Sequence, residues 1–288
     1  CNTVDVEIDG PRGRQQTSVD TGFIVYNERT YPNLTALFDH LGVATEQSQM
    51  SFSASVNGGK FEYSGSGLKG LLAQKRNIIR PRFWNMVWHI LRFYRECVKD
   101  AKLPSNAGLS LGEYLHRSGY SEGFLRDHIY PMASSIWSAS FEEIRAYPLA
   151  AFVRFFSNHG LLETKPEMRP KWRTVTNGSR SYVERISEEY KGRVRTNCRV
   201  TSIKRTKHEV EITTEEGSRE QFDQVVIATH SNQALTMLAN PTTEESQLLG
   251  SIRYELNRAT LHMDPSLMPR RRRAWASWNY ISTSQNDQ

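Results

Sequence analysis

The chain has 288 residues, 38% of them hydrophobic and 24% charged, with a formal net charge of +6 and a pI near 9.2. That length holds two domains, or one large domain with an insertion, and no run of about 18 apolar residues marks a membrane span. The three cysteines (Cys1, Cys97, Cys198) form neither a C-x-x-C pair nor a disulfide framework, and the eight histidines form no H-x-x-x-H or H-x-H pair, so a reduced, cytoplasmic setting without a metal site is expected.

Val4, Val6 and Ile8 alternate with charges, a strand pattern ending in a turn at Asp9-Gly10-Pro11. An apolar stretch with a central glycine follows, "SVDTGFIVYN". Pro32 opens a helix with Leu34, Leu37, Phe38 and Leu41 at i, i+3, i+4, i+7, and Gly42 closes it. "SFSASVNGGKFEYS" reads as a hairpin turning at Asn57-Gly58-Gly59.

Next comes GSGLKG, where Gly65, Gly67 and Gly70 match G-x-G-x-x-G. A dinucleotide-binding turn needs a buried strand before it, a helix after it, a returning parallel strand, and an acid about 20 residues on. Here "GKFEYS" reads as a polar hairpin arm, no Asp or Glu occurs from Tyr63 to Arg95, and Pro81 starts a new helix. The match reads as accidental and the glycines as a flexible loop.

Pro81 opens the longest helix, to about Lys102. Asn85, His89, Arg92, Glu96 and Lys99 form one narrow polar stripe on an otherwise apolar surface. Such a helix is buried, or else lies at an interface or lines a lipid-like substrate. Ser110 with Glu113, and Ser140 with Glu143, are capping boxes that start short helices, so residues 81 to 160 read as mostly helical.

After Pro166 and Pro170 the texture changes. "WRTVTNGSRSYVERISEEY" reads strand, turn at Asn177-Gly178, helix. Strands are expected at Arg193 to Asn197, Val200 to Arg205, Val210 to Thr214 and Phe222 to Thr229, the last a continuous apolar run of the buried parallel kind. A helix from about Asn232 to Leu238, a polar helix from Pro241 and two strand-like stretches complete the chain. The basic run Arg270 to Arg273 reads as a solvated loop or as a contact for an anionic surface. No zinc knuckle, RNP-type motif or heptad accompanies it.

Taken together, "VDTGFIVYNERTYPNLTALFDHLGV", "YPMASSIWSAS", "WRTVTNGSRSYVERI", "VVIATHSNQAL" and "RRAWASWNYIS" resemble the flavin-dependent amine oxidase and phytoene desaturase superfamily, and more closely the bacterial NAD/FAD-binding amine-oxidase-like oxidoreductases. The resemblance implies an α/β fold, α+β overall. A Rossmann-like FAD/NAD(P)-binding domain (1–49 and 172–240) would be interleaved with a helix-rich substrate domain (50–171 and 241–288), each incomplete. In that family the true glycine fingerprint lies upstream of the segment starting at Cys1-Asn2-Thr3. The resemblance therefore implies that roughly 30 to 40 N-terminal residues and a C-terminal segment lie outside this chain, and that these 288 residues alone bind FAD weakly or not at all, are aggregation-prone and are inactive.

The resemblance also assigns roles. Thr3 falls near the flavin ribityl, and Asp20, Gly22, Phe23 and Ile24 belong to the stretch beside the isoalloxazine ring. Read without the family, Gly22 is a strand bulge. Val200 matches a position whose backbone pairs with adenine, though it also reads as an ordinary strand valine. Ala228 and Thr229 end a strand where open α/β folds place ligands. Asn177-Gly178-Ser179 matches a stretch usually written with two glycines. Tyr130, Ser135 and Trp137 line the substrate side or pack against the long helix. No nucleophile–base pair stands out, and His230 reads as structural or as a group near the flavin. The expected function is hydride transfer from an apolar, lipid-like or amine small molecule to FAD. The alternatives are a non-redox, isomerase-like flavoprotein and a basic nucleic-acid or membrane-binding module. Nucleic acid is not expected as a partner, whereas peripheral membrane contact fits the basic surface.

Overall fold

The alternation of Val4, Val6 and Ile8 forms β1 (Thr3–Gly10), paired antiparallel with β2 (Gly13–Asp20) from Thr3 opposite Asp20 to Gly10 opposite Gly13. The structure is a computed structural model and describes residues 2–10, 13–254 and 256–283. Cys1, and Pro11 of the expected turn, lie outside the described residues. After β3 (Tyr26–Asn27), Pro32 presets the first turn of α1 (Pro32–Leu41), which buries Phe38 against Tyr26. β4 (Thr45–Gln47) leads to the hairpin of β5 (Phe52–Val56) and β6 (Phe61–Ser64).

GSGLKG departs from its reading as a flexible loop behind a polar arm. All four residues of β6 are buried, and the glycines run into a short helix, α2 (Gly67–Leu71). Gly70 sits where a Cβ would stand 3.1 Å from the Ser64 carbonyl oxygen. The hairpin is antiparallel, and a 3₁₀ turn and then α3 (Pro81–Asp100) follow rather than a parallel strand.

One face of α3 buries Phe83, Met86, His89, Phe93 and Cys97. The expected polar stripe is corrected here. His89 is 5% exposed, with its ring beside Tyr120 and Phe124, while Trp84, Trp88 and Leu91 are 48%, 54% and 46% exposed. Shape at the helix contacts, not polarity alone, decided which side went inside. Both capping boxes form, at α4 (Leu111–Arg117) and, after α5 (Glu122–Phe124) and α6 (Tyr130–Trp137), at α7 (Phe141–Ala146). With α8 (Leu149–Asn158) these helices enclose an aromatic core in which the Phe152 and Phe156 rings stack at 4.1 Å. β7 (Trp172–Val175) then pairs with both β3 and β4, and α9 (Arg180–Glu188) follows the Asn177-Gly178 turn.

β8 (Val200–Arg205), β9 (Val210–Thr214) and β10 (Arg219–Phe222) form an antiparallel sheet in the order β10-β9-β8, followed by α10 (Ser231–Met237) and α11 (Thr243–Ser251). Two expected strands are absent here. Residues 193–197 are irregular, Asn197 having φ of +56° and Arg195 being held by Glu220. Residues 225–229 form no strand, and Val226 is 92% exposed. An apolar strand buried on both faces needs neighbouring strands, and among the described residues none pairs with this one. Of the two late strand-like stretches only β11 (Trp278–Ile281) forms, parallel to β5.

By compactness the chain divides into Cys1–Arg185 with Leu261–Gln288, and Ile186–Thr260. The expected functional division cuts across these units.

The basic run has a structural task. Glu62 of β6 is fully buried and accepts from Ser55 Oγ (2.8 Å), the Arg270 backbone N–H (2.8 Å) and Arg271 Nη1 (2.7 Å). Arg272 lies over the Trp275 ring, 5.9 Å from its centroid. The run is therefore pinned to the hairpin rather than free as a solvated loop. Removing one partner of a buried ion pair strands the other charge. Arg271→Met is expected to cost about 3 kcal/mol, and Arg273→Met, at an exposed position, within about 0.5 kcal/mol of nothing. Denaturant unfolding of the two variants checks this.

Candidate functional site

The β5–β6 hairpin, α3, α6 and the segment after α8 wall a cavity of about 280 Å³ in the first unit. Its apolar wall includes Phe52, Met132, Ile136, Leu161, Trp172 and Trp278, and Gly65 and Ser66 of GSGLKG reach its edge. Gly160 is required in that wall. Its φ is +66°, and a Cβ there would fall 2.3 Å from Pro170 Cδ. His159, also lining, stacks on Phe155 at 4.1 Å and lies 13° from parallel to Trp172.

Besides Ser51, Ser66, His159 and Arg169, the polar part of the wall holds a connected set, Tyr63, Tyr94 and His128. Between α5 and α6 the helix loosens into a π-helical turn, Leu125–Ile129, which carries Asp127 and His128 inward. The Asp127 carboxylate is buried and held in a fork by Arg82, at 2.7 and 2.8 Å. Tyr63 Oη donates to the Asp127 carbonyl at 2.9 Å and lies 2.8 Å from His128 Nδ1. The phenol has one proton, so Nδ1–H donates to Tyr63 Oη. Nε2 is then the acceptor that faces Tyr94 Oη at 3.3 Å. Burial pushes the His128 imidazolium down to about 3, the Tyr94 phenol up to about 12 and the Tyr63 phenol well above its usual range. At neutral pH the chain Tyr94–His128–Tyr63 is uncharged and can offer or accept a hydrogen bond without adding charge to the cavity.

Sequence reasoning missed Tyr63, Tyr94 and His128, which come from a strand, a helix and a π-helical turn. Of the expected substrate residues, Tyr130 is buried beside Phe141, and Ser135 donates to the Pro131 carbonyl at 2.8 Å. Trp137 stacks on Tyr147 at 4.8 Å. None of the three lines the cavity. Their helix contributes Met132 and Ile136 instead, one turn apart.

Several expected cofactor residues converge. Thr3 Oγ1 donates to Asp20 Oδ1 (2.6 Å) and accepts from the Arg180 backbone N–H (3.0 Å). Asp20 also takes the Ser179 N–H (2.9 Å) and hydroxyl (2.9 Å), and Thr3 Cγ2 would be 2.7 Å from a Cβ on Gly178, whose φ is +87°. Asn177-Gly178-Ser179 thus locks the start of β1 to the end of β2. Beyond the lock, Gly22 and Ile24 are exposed with no strand partner, while Phe23 packs beside Tyr31. An anchored backbone with an open glycine surface fits a flat ring lying against it.

In the second unit Val200, Ala228 and Thr229 line one open groove of about 720 Å³ with Ile203, Ile212 and Val226. β8 is an edge strand, so one side of the Val200 backbone faces no strand, which fits a planar base alongside it. His230 stacks on Tyr254 at 4.6 Å, and its backbone N–H donates to Gln233 at the start of α10.

The model of the family "Flavin containing amine oxidoreductase" matches residues 5–267. A triple mutant of putrescine oxidase superposes with a TM-score of 0.58 at 15% identity, covering 86% of this chain and 54% of that one. A CLA-producing fatty acid isomerase from P. acnes gives 0.55 at 12%, covering 87% and 54%. Cyclohexylamine oxidase from Brevibacterium oxydans gives 0.53 at 13%, covering 81% and 52%. The chain thus spans about half the length of these structures, and the likeness is one of fold: mixed helix and sheet of the Rossmann-type FAD-dependent amine oxidases. No curated protein sequence matches it.

His128 gives the cavity a pH signature. Its folded value lies below its unfolded value, near 6.5, so the unfolded chain binds more protons between those limits. Stability is expected to be level with respect to this group above pH 7 and to fall by about 1.4 kcal/mol per pH unit from pH 6 toward pH 5. Unfolding across that range checks it, and His128→Phe reduces the slope, leaving the part due to His89, whose imidazolium burial also pushes down.

Proposed function

The chain belongs to the flavin containing amine oxidoreductases, and from that membership we propose that the whole protein is an FAD-dependent oxidoreductase acting on an apolar, lipid-like small molecule. The cofactor of the family is FAD. We assign its contacts to Thr3, Asp20, Gly22, Phe23 and Ile24 in the first unit and to Val200, Ala228 and Thr229 in the second. The supports are the Thr3–Asp20–Ser179 lock beside an open Gly22 and the apolar groove under Ala228. Residues 1–49 with 172–240 serve the flavin, and 50–171 with 241–288 the substrate. When bound, the flavin supplies a two-electron acceptor for hydride.

One observation carries the choice of substrate. The cavity is lined largely by aromatic, methionine and aliphatic side chains, its Tyr–His–Tyr chain is neutral, and among the described residues no carboxylate lines it. An alkylammonium would leave water with no anion to meet it, whereas an apolar chain loses nothing on entry. The residues keep the site dry and orient a polar end of the substrate against His128 Nε2 or Tyr94 Oη. Among the described lining residues Arg169 is the single formal cation.

The full-length protein is expected to be yellow, and under anaerobic conditions to bleach with long-chain apolar substrates and not with short alkylamines. Met132→Lys should slow bleaching at least about tenfold, by placing a charge in an apolar wall, with flavin content unchanged. Bleaching by amines alone would overturn the substrate class. Turnover that needs pre-reduced flavin and yields an isomer would transfer the protein to the isomerase reading, and a colourless protein indifferent to FAD would overturn the whole assignment.

A further inference from the structure

Five large apolar side chains stand in solvent along the turn before α3 and on its outer face: Ile78 (51% exposed), Ile79 (81%), Trp84 (48%), Trp88 (54%) and Leu91 (46%). They form one surface. Trp84 Nε1 donates to the Ile78 carbonyl at 2.8 Å, which folds the turn against the helix, and positions 84, 88 and 91 lie on one side of it. Exposed apolar residues occur singly on any protein, but a contiguous set rimmed by charge marks a contact surface.

Along the stretch that carries the patch the charge has one sign. From Tyr63 to Arg95 the sequence contains seven Lys or Arg residues and no Asp or Glu. Lys75 and Arg76 flank the patch before the turn, and Arg95 and Lys99 continue the Trp84–Trp88–Leu91 stripe beyond it. All four are exposed, and among the described residues none makes an ion pair. The first acid past the stretch, Glu96, is held by Arg92 at 2.9 Å.

We propose that this face of α3 and the preceding turn docks the protein on a bilayer containing anionic phospholipid, with the Ile78–Ile79 turn, Trp84, Trp88 and Leu91 entering the headgroup region and Lys75, Arg76, Arg95 and Lys99 meeting lipid phosphates. Tryptophan and aliphatic side chains flanked by cations suit the water–hydrocarbon boundary. A second copy of this face would oppose like charge. A nucleic acid would match the charge, but isoleucine and leucine give bases nothing to stack on. Among the described residues no helix is long and apolar enough to cross a membrane, so the contact is lateral. The buried side of α3 carries Tyr94 to the cavity wall, so the same helix borders the lipid surface and the cavity.

Co-sedimentation of the full-length protein with vesicles tests this. Binding is expected to phosphatidylcholine vesicles carrying phosphatidylglycerol, to weaken with salt, and to be nearly absent with phosphatidylcholine alone. Trp88→Ser with Leu91→Ser, and separately Lys75→Glu with Arg76→Glu and Arg95→Glu, should each weaken it more than about tenfold. Flavin content and the unfolding midpoint report that each variant is folded, and they read the flavin assignment independently. Failure to bind anionic vesicles, or binding by either folded variant as strong as that of the unsubstituted protein, overturns the proposal. So does binding of an oligonucleotide that these substitutions abolish while vesicle binding survives.

Discussion

The first unit is organised around one buried charge. Asp127 cannot sit in the protein interior without a partner, and Arg82, on the first turn of α3, supplies both hydrogen bonds of a fork from a half-exposed position. That pair fixes the π-helical turn against α3. The turn in turn presents the Asp127 carbonyl to Tyr63 and puts His128 between two phenols. Hairpin, long helix and helical core therefore meet at a single electrostatic requirement, and the cavity opens beside it.

Among the described residues two carboxylates are buried, and both are satisfied away from the cavity. Asp127 turns to Arg82, while Glu62 takes Arg271, the Arg270 amide and Ser55. This leaves a cavity with a neutral Tyr63–His128–Tyr94 chain in a largely hydrocarbon and aromatic wall, with Arg169 at its lining as a cation and no carboxylate among the described lining residues. A flavin site benefits from such a wall, since exclusion of water strengthens each remaining hydrogen bond and shields a reactive cofactor.

The long helix serves two environments. Its inner face is fixed by Phe83, Phe93 and Cys97, and its outer face keeps tryptophan and leucine in solvent beside Arg95 and Lys99. Burial on one side makes the helix rigid, and rigidity keeps the outer side chains in register as a surface.

Local signals in the sequence were enough to determine much of the fold. Pro32 and Pro81 set helix starts, Ser110 with Glu113 and Ser140 with Glu143 closed capping boxes, and Asn57-Gly58-Gly59 turned a hairpin, because each acts through neighbours within four residues. The family resemblance and the flavin class were legible in ordered motifs. The site was not. Tyr63, Tyr94 and His128 are 31 and 34 residues apart in sequence, each carries no pattern of its own, and only packing brings their three polar atoms together. The same holds for Arg271, which reads as one of four surface arginines until the hairpin folds beneath it, and for α6, whose cavity-facing residues are Met132 and Ile136. Strand pairing was the other limit. Residues 225–229 have the composition of a buried strand, but a strand exists only when a neighbour completes its hydrogen bonds, and that condition lies in tertiary structure.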